Sequence, residues 1–217
     1  MSEKRTNMPR WMLLGSIIVG LAILGAGVTA VVLIGQSVPT DDPAPLEETN
    51  NDSIEAALPK EEALRFPRIA GTDLAFREVV VPLDLEAGPK LIVVSYDDTQ
   101  QPLVDEWLAP LESLNNEHPT LSGYYVPLLP KDAASSAAFI IGGMSAVAEN
   151  DRDRARTVVV FTNVDGFNRL LEVPDKDTVQ LFLLDGNHQV RWRESGAYSA
   201  DKIADLATVL DELLQNT

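Results

Sequence analysis

The sequence predicts an α/β domain with a mixed central sheet flanked by helices, preceded by one transmembrane helix. Three observations carry this prediction. Short apolar runs rich in β-branched residues alternate with segments of helical periodicity. A strong hairpin signal precedes the last helical segment. Near the N-terminus, residues 11–35 form a long apolar run without a charge.

Residues 11–35 predict a membrane-spanning helix. At about 1.5 Å per residue the run is roughly 37 Å long, which exceeds a hydrocarbon core of about 30 Å. A cleaved signal peptide is the alternative, because residues 28–30 resemble a cleavage site, but the apolar run continues beyond them. Basic residues before the span place residues 1–10 in the cytoplasm and the rest outside. We therefore expect a single-pass protein of the cell membrane with an extracytoplasmic C-terminal domain.

Residues 36–64 predict an acidic, disordered linker. They hold four prolines and eight acidic residues against the single base Lys60, a net charge of −7. Such a segment buries too little apolar surface to offset its ordering entropy. An acidic binding tail is the functional alternative. The whole chain has a net charge of −16, which disfavours binding to nucleic acid.

The folded domain is predicted over residues 65–217. Residues 74–85 are predicted to be extended, after a turn at residues 71–73. Residues 90–96 form a continuous apolar run, as expected of a strand covered on both faces. A loop at residues 97–100 leads to a helix that begins near Pro102 and runs to about Asn116.

A second strand and helix follow. Residues 121–129 predict a strand, and Pro127 indicates that it lies at an edge or ends there. Asp132 is expected to cap a helix that extends to about Ala148. Gly142 and Gly143 weaken the middle of that helix, for which a close approach of backbones is the expected reason. The mixed charges of residues 149–156 indicate a solvated connection.

The last third of the domain predicts a third strand, a hairpin and a closing helix. Residues 157–161 form a buried strand, followed by a turn at residues 165–166 and a short helix at residues 167–171. Residues 179–184 form a fourth strand that turns back at residues 185–188 into residues 189–192. Ser199 caps the final helix. Alternating strands and helices followed by a hairpin and a helix predict a mixed sheet between helices.

The chain contains no cysteine, which excludes a disulfide framework, a thiolate nucleophile and a cysteine-based zinc site. Its histidines, His118 and His188, stand in turn-like contexts and are interpreted as solvated loop residues. No Ser-His-Asp set, phosphate-binding glycine loop or metal-ligand spacing is recognisable. We therefore expect no cofactor, no metal and no catalytic residue.

Several segments together resemble the thioredoxin-like superfamily. The C-terminal half has an apolar strand, an Asp-Gly turn, a return strand, a loop of small residues and a helix, and residues 66–96 are similar to the opening of the peroxiredoxin-type fold. Within the superfamily, the chain looks like the thioredoxin-like assembly factors of the mitochondrial ATP synthase. The residues that carry this likeness are Leu183–Asp185, Arg191-Trp192, Ser195–Ala197, Trp107 and Pro110.

The departures from the superfamily pattern bear on function. A thioredoxin-like oxidoreductase or a peroxiredoxin carries its reactive cysteine just after the strand that ends at Tyr96, where this chain has residues 97–102, DDTQQP. The copper-delivery branch also needs two cysteines. The proline that faces the active site in redoxins is missing before Val179, and Pro174 lies five residues earlier. Thiol redox chemistry and copper transfer are therefore excluded.

Five residues are candidates for contact with a ligand or partner: Asp97, Asp98, Trp107, Arg191 and Trp192. The two carboxylates follow a central strand, where α/β folds place ligands, and either bind a cation or do acid–base work, or else one caps the next helix. The two tryptophans are aromatic stackers or core residues. Arg191 and Arg193 point to one face of their strand and Trp192 to the other. They either meet an acidic partner or pair with neighbours such as Glu194.

Two functions follow as expectations. The first is a non-catalytic protein-binding or complex-assembly domain, anchored in the bilayer by residues 11–35 and contacting another membrane or envelope protein. The second is a cysteine-independent enzyme, or a binder of a small ligand or cation, that uses the cleft at Asp97 and Asp98.

Overall fold

The computed structural model describes residues 64–215, which contain seven strands and five α-helices. The strands are β1 (Ile69–Asp73), β2 (Glu78–Val81), β3 (Lys90–Ser95), β4 (Ser122–Pro130), β5 (Val158–Thr162), β6 (Gln180–Leu184) and β7 (Val190–Ser195). The helices are α1 (Gln101–Glu117), α2 (Ala137–Val147), α3 (Asp151–Arg156), α4 (Val164–Leu170) and α5 (Ala200–Gln215), with short 3-10 helices at Asp98–Gln100 and Lys131–Ser136.

All seven strands form one mixed sheet in the order β2-β1-β5-β4-β3-β6-β7. The three central strands β3, β4 and β5 run parallel, whereas β6 and β7 add an antiparallel hairpin on one side. On the other side β1 and β2 add a second antiparallel pair. Together with the closing helix α5, this order fits the thioredoxin-like fold that the sequence resemblance implied.

The predicted buried strand at residues 90–96 is confirmed, because every residue of β3 is buried. Its side chains alternate between the two faces of the sheet. Leu91 and Val93 join a core cluster with residues of α1 and α5, while Ile92 and Val94 join a second cluster with Phe167 of α4. Burial of each such side chain contributes about 1.5–3 kcal/mol. β3 thus packs against both helical layers, as β4 and β6 also do.

The predicted helix starts after β3 and after β7 are also confirmed. Pro102 lies in the first turn of α1, where its missing N–H costs no intrahelical hydrogen bond. The Ser199 hydroxyl accepts a hydrogen bond from the Lys202 amide at the start of α5, at 3.3 Å. Leu206 and Leu210 of α5 are fully buried against the sheet.

The interpretation of Pro127 as the mark of an edge strand, or of the end of its strand, is wrong. β4 lies between β3 and β5 and runs on to Pro130. Pro127 is opposite Ser95, the last residue of β3, and the continuous pairing with β5 begins one residue later at Leu128. The N–H that Pro127 lacks would therefore lie where β4 stops pairing with β3 and begins to pair with β5. For this reason a proline can stand there although β4 is a central strand.

The turn expected at residues 71–73 lies elsewhere. Those residues belong to β1, and the reversal of the chain follows at residues 74–77. The buried Asp73 carboxylate organises it by accepting hydrogen bonds from the backbone N–H groups of Ala75 and Arg77, each at 2.9 Å. Gly71 is needed for packing, because a Cβ there would lie 2.7 Å from a methyl carbon of Val160.

The helix expected at residues 132–148 is interrupted. A 3-10 helix occupies Lys131–Ser136 and α2 begins at Ala137, and the Asp132 side chain caps neither. The expected backbone contact at Gly142 and Gly143 is also absent, because a Cβ at either position would have no heavy atom within 4 Å. These glycines lie on a helix surface that leaves space beside the backbone.

Two segments expected to be connections are helical. Residues 151–156 form α3, which the Asn150 side chain caps by accepting a hydrogen bond from the Asp153 amide at 2.9 Å. Residues 165–166, expected to be a turn, lie in the first turn of α4, which Asn163 caps through the Gly166 amide. In both cases an asparagine just before the segment supplies the cap, which the sequence interpretation overlooked.

No helix within residues 64–215 has the length and apolarity that a bilayer crossing requires. The predicted cytoplasmic N-terminus, the predicted span of residues 11–35 and all but the last residue of the predicted linker lie outside the described residues.

Candidate functional site

The candidate site lies at the carboxyl end of β3, where the superfamily resemblance places reactive thiols. The Asp97 carboxylate accepts hydrogen bonds from the Thr99 amide, at 2.9 Å, and from the Thr99 hydroxyl. It thereby caps the 3-10 helix that begins at Asp98. Asp98 is exposed, and its carboxylate makes no hydrogen bond or ion pair with the residues that the structure describes. The two carboxylates thus have different surroundings, with capping as the observed role of Asp97.

Gln100 connects this turn to the opposite wall of the site. Its buried side-chain oxygen accepts a hydrogen bond from the Tyr96 amide at 2.9 Å, and its amide nitrogen donates to the Lys176 carbonyl at 2.8 Å. The Tyr96 hydroxyl donates to the Asn168 side chain at 2.8 Å, and burial raises the pKa of Tyr96. The segment after β3 is therefore tied to α4 and to the loop that follows it.

Tyr125 provides a second buried polar group beside the same turn. Its hydroxyl lies 2.8 Å from the Ser95 hydroxyl and donates weakly to the Gln101 side-chain oxygen at 3.5 Å. Burial raises the pKa of Tyr125 to about 12, with a smaller contribution from the negative charges of Asp105 and Asp97. Near neutral pH Tyr125 is a protonated phenol, which can donate a hydrogen bond but does not serve as a base.

The two candidate tryptophans are core residues whose indole N–H groups have partners. Trp107 is fully buried, donates to the Gly196 carbonyl at 2.9 Å and meets the Tyr198 ring edge-to-face at 5.5 Å. Trp192 donates to the Asp205 carboxylate at 2.8 Å. Since each N–H is used and each ring is packed, the structure agrees with the core interpretation of both residues.

The candidate Arg191 lies with Arg193 on the exposed face of β7, opposite the buried Trp192, as the strand period predicted. Arg191 faces the Asp185 carboxylate at 3.6 Å. Arg193 donates to the Leu171 carbonyl at 2.9 Å and lies 3.4 Å from the Glu172 carboxylate. Glu194, which the sequence suggested as a partner of these arginines, pairs with Lys202 instead. The basic spot is therefore partly neutralised by other elements.

A groove that the sequence did not reveal lies between α1 and α3, with a volume of about 740 Å³. Leu91, Val93 and Leu111 contribute apolar lining, and Asp105 of α1 and Arg152 of α3 also border it. Thr157 in its wall is buried, and its hydroxyl oxygen has no hydrogen-bond partner. The spacing between two helices creates the groove, and no local pattern in the sequence reports that spacing.

Both histidines lie in loops, as the sequence predicted, but they are not freely solvated, because each is partly buried. His118 Nε2 lies 3.6 Å from the Asp211 carboxylate. His188 has φ = 64°, and its Nδ1 is buried without a partner. Burial, followed by the positive charge of Lys90, lowers the pKa of His188. No group of side chains suited to hold a metal ion occurs in the part of the chain that the structure describes.

No protein-family model matches the chain, and no curated protein matches it. Among solved structures it is similar to BsSco, a member of the Sco family of cytochrome c oxidase assembly proteins, with 9% identity and a TM-score of 0.49 over 69% of this chain and 95% of that one. It is similar to the peroxidoxin BcpB from Mycobacterium tuberculosis, with 15% identity and a TM-score of 0.47 over 70% of this chain and 96% of that one. It is also similar to a putative thiol:disulfide interchange protein DsbE from Chlorobium tepidum, with 16% identity and a TM-score of 0.44 over 70% of this chain and 98% of that one.

At these identities and TM-scores the likenesses carry no argument about function. The thioredoxin-like assignment rests on the strand order, the parallel centre of the sheet and the hairpin with its closing helix.

Proposed function

We propose that this chain is a membrane-anchored, extracytoplasmic thioredoxin-like domain without redox or other catalytic activity, which acts as a protein-binding or complex-assembly module. The observation that carries the proposal is the turn after β3. There Asp97 is used as a helix cap, and Gln100 bridges the Tyr96 amide and the Lys176 carbonyl. These side chains stabilise the scaffold at the position where a redoxin holds its thiols.

The electrostatic surroundings support the same conclusion. A nucleophile or general base needs a polar group whose protonation state suits the reaction. Near the turn, Tyr125 is held in its protonated form and the chain has no thiol. The turn therefore lacks the thiol of a redoxin, and Tyr125 offers no base there, which favours the display of a surface to another protein.

The predicted membrane span and the predicted linker would determine where the domain acts. Residues 11–35 would hold the chain in the bilayer, and a flexible linker of residues 36–64 would span about 30 Å on average. The domain would then reach partners in or near the membrane. The resemblance to the thioredoxin-like assembly factors of the mitochondrial ATP synthase favours the same role, carried by Trp107 and Arg191-Trp192 among other residues.

Topology can be tested cleanly because the chain has no cysteine. A single cysteine is introduced either as Ser2→Cys or as Ala204→Cys, the latter at an exposed position of α5. A membrane-impermeant maleimide added to intact cells should label Ala204→Cys and leave Ser2→Cys unlabelled until the cells are lysed. Equal labelling of both variants, or release of the chain from membranes by salt alone, would contradict the anchor.

The binding role is tested by crosslinking the full chain in its native membranes and separating the products under non-denaturing conditions. We expect a discrete complex with another membrane or envelope protein. A chain that remains free of any partner in those membranes would overturn the proposal.

One observation favours a second candidate, a ligand site at the same turn, because the exposed Asp98 carboxylate is unpaired among the described residues. Thermal unfolding of the wild type and of the double variant Asp97→Ala/Asp98→Ala is compared with and without divalent cations. A cation-induced rise in Tm that is lost in the double variant would support this site. Equal responses in both proteins would count against it.

A further inference from the structure

The tip of the β1–β2 hairpin is a rigid structure. Asp73 is fully buried, and besides the two backbone amides of the turn its carboxylate accepts a hydrogen bond from the Arg77 guanidinium at 2.7 Å. The Phe76 amide donates to the Asp73 carbonyl at 3.0 Å. These contacts hold the backbone of the tip, so the Cα–Cβ bonds of the residues that it carries point in fixed directions.

Phe76 at this tip is both strained and exposed. Its φ of 61° lies in the left-handed region, which glycine and asparagine adopt at little cost and bulky residues avoid. Its side chain is nevertheless 58% exposed, so little core packing offsets the strain within the domain. A strained position held by rigid surroundings is a frequent mark of a functional site. An aromatic ring on a backbone that is held in advance also loses less entropy on binding than one on a mobile loop.

A second exposed aromatic residue lies on α2, the helix that packs against the hairpin. Leu74 of the hairpin is buried in one cluster with Ile141 of α2 and Ala148, which joins the tip to that helix. On the outside of α2, Phe139 is 68% exposed. Residues 133–148 contain no charged side chain. We call the surface that carries Phe76, Phe139 and the exposed Ala138 and Ala146 the hairpin–α2 flank.

Charge restricts what can cover this flank. Residues 65–217 contain 24 acidic and 13 basic residues, a net charge of −11. Two copies of the domain, or the domain and an anionic lipid surface, therefore repel each other. At the tip itself Asp73 and Arg77 neutralise each other and Glu78 is exposed, whereas the adjoining α3 has three arginines and two aspartates. The negative charge that a partner meets is therefore that of the domain as a whole. A partner that complements both features offers apolar pockets bordered by lysine or arginine.

We propose that the hairpin–α2 flank, with Phe76 as its anchor, is the docking surface for a partner protein that has apolar pockets in a basic surface. This inference rests on the proposed binding function and names the surface that performs it. Since the backbone at Phe76 is held before binding, its contribution should exceed that of Phe139.

The test uses the full chain in its native membranes, with the photoreactive residue p-benzoylphenylalanine at one position at a time. Positions 76 and 139 probe the flank, and position 109 probes the groove beside α1. Position 170 is the matched control, because Leu170 is 63% exposed but belongs to α4 on the other face of the sheet. We expect positions 76 and 139 to give one and the same protein adduct, and position 170 to give none.

The captured protein is then purified and its affinity for the variants is measured. Phe76→Asn should weaken binding at least about tenfold and Phe139→Ser by less, whereas Leu170→Ser should stay within about twofold, in line with the dominance of central aromatic anchors. Binding should also weaken as salt is raised, since opposite charges attract the two proteins. Unchanged affinity of Phe76→Asn, or no response to salt, would overturn the inference.

The free chain supplies an independent readout. Because asparagine tolerates the left-handed region, Phe76→Asn should keep the Tm of the wild type or raise it by about 2–4 °C. A clear loss of Tm would mean that Phe76 serves the fold, and would overturn the docking role.

The crosslinking positions also separate the two proposals. Adducts from position 109 alone would leave the binding function standing and refute this surface. Adducts with lipid or with a second copy of the chain would refute the partner class. No protein adduct from any position would refute both proposals.

Discussion

Replacing Asp73 with asparagine should destabilise the fold strongly, although it changes one oxygen atom into an amino group. The Asp73 side chain is fully buried at the end of β1. One carboxylate oxygen accepts the Ala75 and Arg77 amides at 2.9 Å, and the other accepts the Arg77 Nε and a terminal guanidinium nitrogen at 2.7 Å. An asparagine keeps the first oxygen and replaces the second with a donor that faces the guanidinium.

The magnitude follows from these contacts. A hydrogen bond to a charged group contributes about 1.5–3 kcal/mol, and a buried group left without its partner costs about 1–3 kcal/mol. The Arg77 side chain is 62% exposed, so its guanidinium regains water and its own loss is small. We therefore expect Asp73→Asn to lower the free energy of unfolding by about 2–3 kcal/mol.

The assay is urea unfolding of the purified full chain, followed by tryptophan fluorescence. With a slope of about 2 kcal/mol per molar urea, the midpoint should fall by about 1–1.5 M. Asp84→Asn is the matched control, because the exposed Asp84 carboxylate accepts one hydrogen bond, from the Val80 amide at 2.7 Å in the same hairpin. Equal midpoint shifts in the two variants, or a shift below about 0.25 M (about 0.5 kcal/mol) for Asp73→Asn, would refute the reasoning.

Three further predictions concern buried polar groups and glycines. Gln100→Ala leaves a buried N–H and a carbonyl unpaired, so it should lower the free energy of unfolding by about 2–3 kcal/mol in the same assay, against less than about 1 kcal/mol for Gln101→Ala. Comparable losses would contradict that role. Because burial lowers the pKa of His188 in the folded chain, the unfolded chain binds the proton more readily. Acidification below about pH 6.5, the usual pKa of a histidine side chain, should therefore destabilise the wild type more than His188→Asn; parallel pH profiles would exclude this cause. Gly143→Ala should raise the free energy of unfolding by about 0.5–1 kcal/mol, because alanine favours a helix and the added methyl group meets no atom. Gly71→Ala should lower the free energy of unfolding, because its methyl group would clash with Val160. Opposite signs for the two variants would refute the packing argument.

Much of the fold could be predicted from local patterns. The apolar run of β3, the hairpin after Leu184 and the apolar face of α5 each report burial or chain reversal within a few residues. Hydrophobic periodicity records which faces of an element are covered, and turn residues record where the chain reverses. From β3 onward, the order of elements along the chain followed from the same signals, with the exception of α3.

Three of the errors share one physical cause, since each concerned a residue whose environment comes from elsewhere in the chain. The place of Pro127 depends on where β3 stops and β5 begins to pair. The space beside Gly143 depends on what does not pack against α2. The burial of His188 depends on the turn between β6 and β7 and on the strand segment that pairs with it at Phe66. A short window of sequence records neither the pairing around Pro127, nor the space beside Gly143, nor the burial of His188.

At the candidate site, too, some features follow from neighbouring residues and others only from the folded structure. The position of Asp97 and Asp98 after a central strand, and the capping chemistry of Asp97, follow from neighbouring residues. The bridge from Gln100 to the Lys176 carbonyl joins residues far apart in sequence, and the groove beside α1 depends on the placing of α3. Only the folded chain brings these groups together.

The sequence by itself determined that this chain supplies no thiolate of its own, because it contains no cysteine. It also determined the alternation of strands and helices, since burial leaves a periodic record along each element. Only the tertiary structure decided how the side chains at the position of the missing thiols are hydrogen-bonded, and that Phe76 is held strained and exposed at the tip of a hairpin. Hydrogen bonds between distant segments and the direction of an exposed side chain depend on packing in three dimensions, and local sequence patterns do not record it.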